Sequence, residues 1–358
     1  MGLKTVLERR PENVIKKLGK SSNVPVISSK RIFDSVFEED VVLMAANTRI
    51  KWVIPGIMRA AKDLNAVVGF ELAKSECNLE GGYTGFTPED FFNTVVEFAE
   101  RERFIIPFFI HADHTTVKNT SEQEINSTKK LIEEQIKAGY TSFAIDASYN
   151  EIDDNIRITS ELAKPLYEME FGIEVEVGEI KSTGQKAELT TKKEAKYYIE
   201  SLISNGINPN LLAINNGAKH GNYLEGEEVF IDLERTLEIA KTIERHGVRI
   251  AQHGTTGTPD NIISVFKESG IRKANIGTLW QNVAHRHFPE EIMVRMKEWS
   301  EMNKKDIKFA TKEFKKEIDS FDKTTTEKIA KASYEEAYRL IKILGGEDTA
   351  SLVLEHLK

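Results

Sequence analysis

The chain has 358 residues, with 49 Lys and Arg against 57 Asp and Glu, a formal net charge of −8. Hydrophobic residues make up 40% and charged residues 30%, the balance of a soluble globular protein, and the acidic excess argues against nucleic acid as a partner. The one cysteine, Cys77, excludes an internal disulfide and fits a reducing compartment. No apolar run reaches the ~18 residues of a membrane helix. The N-terminus lacks a signal-peptide core, and Val6 stands where a myristoylation signal needs Ser or Thr. A cytoplasmic protein without membrane contact is expected.

In chain order, residues 1–40 read as a helical preamble. Short β-branched runs then alternate with longer amphipathic stretches. The runs cover 41–47, 66–72, 104–114, 142–148, 173–180, 211–217, 249–254 and 273–278, eight strand candidates in all. The stretches between them have helical periodicity, as in PEDFFNTVVEFAERE and LERTLEIAKTIERHG. Thr87-Pro88 and Thr258-Pro259 read as N-caps followed by proline at the first helical position. Gly139, Gly206, Gly247 and Gly270 each follow a helical run, where a C-terminal glycine belongs.

Strand–helix alternation predicts βα units and a parallel sheet. Eight strands predict closure into a (β/α)8 TIM barrel over 41–290, with a C-terminal helical extension over 291–358. An open doubly wound sheet is the alternative, but no G-x-G-x-x-G follows the first strand.

Four histidines, His246, His285, His287 and His356, fall in helical contexts and read as solvated or capping residues. The other four are placed differently. His111 and His114 end the third strand run, His220 follows the sixth and His253 ends the seventh. In a barrel those ends converge on one face. Several imidazoles there point to a divalent metal site, and a catalytic zinc keeps an open position beside three protein ligands.

Asp113, directly before His114, is the candidate general base, with hydrogen bonding to a histidine ring as the alternative. Neighbours on a regular strand face opposite ways, so the strand must break near Asp113 for both to reach the site. Glu174 and Glu176 share one strand face, and a covered carboxylate needs a cation. Glu176, nearer the strand end, is the candidate ligand, and Glu174 the deeper ion-pair partner. Asp146 is a further inward acid. No strand-end lysine is expected at the inward positions, which argues against Schiff-base chemistry. In 253–260, Gly254, Thr255, Thr256 and Gly257 lead into a helix N-terminus, a setting for an anion such as a phosphorylated small molecule.

These strand ends, in this order, resemble the class II, metal-dependent fructose-bisphosphate aldolases and their tagatose-bisphosphate relatives. The resemblance runs from about residue 41 to residue 280. It is carried by His111-Ala112-Asp113-His114, Ile145-Asp146-Ala147-Ser148, Glu174 to Gly178, Gly217 to Gly221, His253 to Gly257 and Asn275-Ile276-Gly277-Thr278. It implies Asp113 as catalytic base and Asn275 as a contact of the reacting enediolate. It also implies His114, His220 and His253 as zinc ligands, joined by Glu176 and Asp146. Lys219, Gly221, Gly254, Thr255, Thr256, Asn275, Gly277 and Thr278 are implied to contact substrate or phosphate.

The implied reaction is reversible retro-aldol cleavage of a phosphorylated ketose, by way of a zinc-stabilised enediolate, to a three-carbon ketose phosphate and an aldehyde. The implied cofactors are Zn2+, with another divalent metal open, and a monovalent cation; the implied assembly is a homodimer or homotetramer. The chain is a divergent match. Gly277 and Leu279 replace the two aspartates of the family's eighth-strand element, and Lys219 stands where a small neutral residue is usual. The loop after the fifth strand lacks the family's Gly-Gly followed by acids, and its only nearby acids are Glu179 and Glu188. Another ketose phosphate, a non-catalytic aldolase-like subunit and a different metal-dependent barrel lyase or isomerase are the rival expectations.

Overall fold

The structure is a computed structural model that describes residues 2–178, 188–219, 221–222 and 228–357. Eight parallel strands follow one another around a closed barrel, and the first pairs with the last. They are β1 (Leu43–Asn47), β2 (Val68–Ala73), β3 (Phe108–Thr116) and β4 (Ser142–Asp146), then β5 (Gly172–Val177), β6 (Leu211–Ile214), β7 (Arg249–Gln252) and β8 (Ile271–Ile276). Helices cover the outside, so every strand is buried on both faces. The closed barrel replaces the open-sheet alternative.

Register explains what the inside holds. Residues paired across a parallel ladder point to the same face. Ala45 pairs with Gly69 and Asn275, Glu176 with Ala213, and Ala213 with Ala251. Alanine and glycine therefore recur on the inner face, which leaves room for long charged side chains. At Gly69 the demand is plain, because a Cβ there would come within 2.4 Å of the Phe109 ring.

Residues 2–40 carry three short helices, Gly2–Glu8, Glu12–Leu18 and Ser29–Ser35. The last lies under the barrel, where Ser29 Oγ bonds Ser142 Oγ at 2.6 Å. Beyond β8 the chain remains helical, and the long helix Lys323–Ile343 packs on Ile54–Asp63. Among the described residues no helix is long and apolar enough to cross a membrane.

The local signals behave unequally. Thr87 forms a capping box with Asp90 at the start of Pro88–Arg101, as its sequence predicts. Gly139, Gly206, Gly247 and Gly270 all take positive φ at the ends of helical runs. Thr258 is different. The helix there is only Asp260–Ile263, Pro259 is its N-cap with an extended ψ of 145°, and Thr258 Oγ1 is buried without a partner. His285 is also not solvated. It lies against Phe288 at 5.0 Å, its Nε2 is buried without a partner, and burial pushes its pKa down to about 4.

Candidate metal centre and catalytic base

The third strand breaks where its chemistry requires it. The β3–β4 register shifts between Ala112 and Thr115, and His114 takes a φ of +38°. A left-handed conformation at a non-glycine residue costs on the order of 1–3 kcal/mol. It turns both Asp113 and His114 toward the barrel mouth, against the alternation of a regular strand.

His253, just past β7, meets His114 there. His114 Nε2 and His253 Nδ1 are 2.7 Å apart. On the other side of the ring, His114 Nδ1 stands 3.2 Å from Glu176 Oε2 and 3.6 Å from Asp146 Oδ2. Asp146 is oriented by Ser148, whose backbone N–H and hydroxyl donate to Oδ1 at 3.1 and 2.7 Å. Asp113, His114 and His253 form one group whose ligand atoms converge, and His114, Asp146 and Glu176 form another. Imidazole and carboxylate donors, buried and convergent, fit a borderline divalent cation such as zinc. His253 Nε2 lies 2.6 Å from Glu174 Oε1, the carboxylate–histidine arrangement that orients a metal-binding ring.

Asp113 has its own partner. Asn275 Nδ2 donates to Asp113 Oδ1 at 2.9 Å, while Asn275 Oδ1 is buried without a partner. Burial would raise the Asp113 pKa, but His114, His253 and Lys273 outweigh it and push it down to about 2. Asp113 is therefore a carboxylate, able to accept a proton. Burial works against charge on His114, yet Asp113 and Glu176 hold its pKa well above the usual imidazole range. Glu176 is raised by burial and by Asp146.

The loop after β7 meets the loop after β8. Thr255 is buried with Oγ1 unpartnered, and Thr256 Oγ1 accepts from Leu279 N at 3.2 Å, tying the loop after β7 to the start of helix Thr278–His285. Gly277 is the N-cap of that helix. Gly254 lies against Lys219, because a Cβ on Gly254 would stand 2.5 Å from the Lys219 carbonyl oxygen. Gly221 is described, half-buried, with φ +98°. His220 and Glu179 lie outside the described residues. Glu188 is described, and its carbonyl accepts from Asn215 Nδ2 at 3.0 Å.

An inward lysine lies deeper than the strand ends: Lys273, in the middle of β8 and two residues before Asn275, is fully buried. Its Nζ bonds Glu174 Oε2 at 2.8 Å and stands 3.2 Å from Glu71 Oε2. Burial works against its charge, but Glu174, Glu71 and Asp113 prevail and hold its pKa above the ordinary lysine value. Two carboxylates hold this amine in its charged form, which disfavours it as a Schiff-base nucleophile. Strand parity with Asn275 was the signal that finds Lys273. Glu71 and His111 complete the inner cluster: burial pushes Glu71 well up and His111 down to about 3, and His111 Nδ1 bonds Ser142 Oγ at 2.6 Å.

Residues 27–343 match the family model described as fructose-bisphosphate aldolase class-II. The chain is 24% identical over 258 residues to a fructose-bisphosphate aldolase of Streptococcus pneumoniae, spanning 71% of this chain and 79% of that protein. A fructose-bisphosphate aldolase of Helicobacter pylori is 27% identical over 172 residues, 46% of this chain and 50% of that one. In fold, the chain resembles the YdjI aldolase of Escherichia coli K12 (TM-score 0.63, 18% identity, 90% of this chain and 98% of that one). It also resembles a fructose-bisphosphate aldolase of Campylobacter jejuni (TM-score 0.66, 17% identity, 90% of this chain and 97% of that one).

Proposed function

The chain belongs to the class II fructose-bisphosphate aldolase family, a carbon–carbon lyase family, and from that membership we propose the reaction and the roles of its residues. The reaction is reversible cleavage of a phosphorylated ketose to a three-carbon ketose phosphate and an aldehyde. The observation that carries it is the side-by-side placement of Asp113, held by Asn275, and the His114–His253 pair.

His114 and His253 would hold a divalent ion, with Glu176 and Asp146 behind His114 and with His220 as the third imidazole. Bound there, zinc supplies Lewis-acid polarisation of a carbonyl oxygen. Asp113, ionised at neutral pH, accepts the proton of the hydroxyl on the carbon whose bond breaks. Asn275 fixes the Asp113 carboxylate through Nδ2 and keeps Oδ1 for the three-carbon half. Gly254, Thr255, Thr256, Gly277 and Thr278 line the loops that take the phosphate, flanked by Lys219 and Gly221. A monovalent cation, a homodimer or homotetramer and a cytoplasmic setting belong to the same reading.

The test uses the purified full chain on fructose and tagatose 1,6-bisphosphates, before and after exhaustive chelation and again after zinc is restored. Cleavage should vanish with the metal and return with it. Asp113→Ala should keep its zinc and lose at least ~100-fold in turnover, the usual worth of a general base. Activity that survives complete chelation, or an Asp113→Ala variant as fast as wild type, would overturn the assignment.

A further inference from the structure

Gly277 leaves a space at the barrel mouth, and an arginine from the far side of the chain fills it. Arg49 lies just past the end of β1, with a side chain only 12% exposed. Its Nε donates to Glu76 Oε1 at 2.7 Å and to Asn47 Oδ1 at 3.1 Å, and its Nη1 to Gln281 Oε1 at 3.2 Å. Glu76 is fixed in turn by Asn47 Nδ2, Tyr83 Oη and the Ala73 N–H, at 2.6, 2.8 and 2.8 Å. Three contacts at Nε and Nη1 thus hold the guanidinium in place.

The remaining corner is different. Among the described residues, Arg49 Nη2 donates no hydrogen bond, and it rests over Gly277. A Cβ on Gly277 would stand 2.9 Å from Nη2 and 3.6 Å from Cζ. A side chain at 277 would require Nη2 to shift from this position. Gly277 begins the helix that bears Thr278 and follows Asn275, the partner of Asp113, by two residues. Arg49 therefore presents a fixed, charged donor against the residue that joins Asn275 and Ile276 to Thr278. A fixed cation at such a point attracts an acceptor bearing negative charge and offers a hydroxyl proton nothing.

We propose that Arg49 is a specificity-determining residue whose Nη2 binds an oxyanion of the substrate, in the room that Gly277 keeps open. The inference rests on the aldolase reading above. The oxyanion has two sources, the phosphate of the three-carbon half or an acidic group on the aldehyde half.

The experiment runs the condensation direction on the zinc-loaded full chain. Dihydroxyacetone phosphate is combined with glyceraldehyde 3-phosphate, with succinate semialdehyde or with neutral glyceraldehyde. Arg49→Gln should raise the KM of one co-substrate roughly 10- to 100-fold, the worth of one hydrogen bond to a charged group. The other KM should move less than ~2-fold. A rise for dihydroxyacetone phosphate with every aldehyde places the oxyanion on the three-carbon half. A rise confined to the two charged aldehydes places it on the aldehyde half. Gly277→Ala keeps the Nε contacts and displaces only Nη2, so it covers the case in which Arg49→Gln fails to fold. It should raise the same KM, and the double variant should be no worse than Arg49→Gln alone, since both act through one group. A KM for neutral glyceraldehyde that rises as much as the KM of the charged co-substrate, or a fall in kcat with every KM unchanged, would overturn the role of Arg49 while leaving the aldolase reading intact. A wild-type chain that forms no carbon–carbon bond with any aldehyde would overturn both.

Discussion

On the outer face of β3, Phe108, Ile110 and Ala112 are buried under the helices; on its inner face Phe109, His111 and Asp113 alternate with them. The two faces stabilise the barrel by different means. Outside, apolar area leaves water at roughly 25 cal/mol per Å2, without direction and without dependence on pH. Inside, Glu71, His111, Glu174, Lys273 and Asp113 are buried charges or potential charges that make sense only together. A member of the outer set is replaceable at the cost of its volume. A member of the inner set leaves its partners uncompensated.

Acid should separate the two faces most. His111 is pushed down to about 3 from an ordinary 6.5 by burial and by Lys273. Below pH 6.5 the unfolded chain takes a proton at this residue that the folded chain refuses, so acidification costs stability until about pH 3. His111 should therefore make the folded chain progressively less stable as pH falls through that window. His111→Asn keeps an acceptor toward Ser142 and removes the titration. Urea unfolding from pH 7.5 to 5 should show a shallower loss in the variant, and parallel curves would refute the account.

Next in size comes Lys273→Met. Removing the cation strands Glu174 beside Glu71, and breaking a buried pair in this way costs about 3–5 kcal/mol. A loss under ~1 kcal/mol in chemical denaturation would mean that the inner cluster is not held by ion pairing.

Glu174→Gln is a smaller change, because the amide still fits beside His253. It weakens the group that orients the ring, so zinc affinity should fall about 10- to 100-fold. Competition with a chromophoric chelator measures this, and unchanged affinity would separate Glu174 from the metal centre. Smallest is Ile145→Val on the outer face of β4, where one buried methylene costs about 0.5–1.5 kcal/mol. That loss should be the same at pH 7.5 and pH 5. A pH-dependent loss would erase the contrast between the faces.

Much of the site was legible because strand parity is strict. Two adjacent residues cannot both face a barrel mouth unless the strand breaks, and the chain breaks between Ala112 and Thr115. Glu174 and Glu176 share a face for the same reason, and the deeper one meets Lys273. Lys273 lies within β8 and not at its end, yet its spacing from Asn275 already sets it inward. Thr258 misled because a Thr-Pro step can sit one residue short of a helix, with the proline as the cap. His285 misled because a helical histidine shows nothing in sequence of the Phe288 ring beside it.

Sequence alone determined the alternation of strand and helix, the residue types at each strand end and the chemistry those types allow, because side-chain period and chemical identity are local properties. Only the tertiary structure decided which of those groups touch. Closure of β1 onto β8 is what carries Arg49 into the space above Gly277, and the meeting of β5 and β8 across the interior is what turns Lys273 into the partner of Glu174. Contacts of that kind depend on the geometry of a closed sheet, and no spacing along the chain encodes a distance through the barrel.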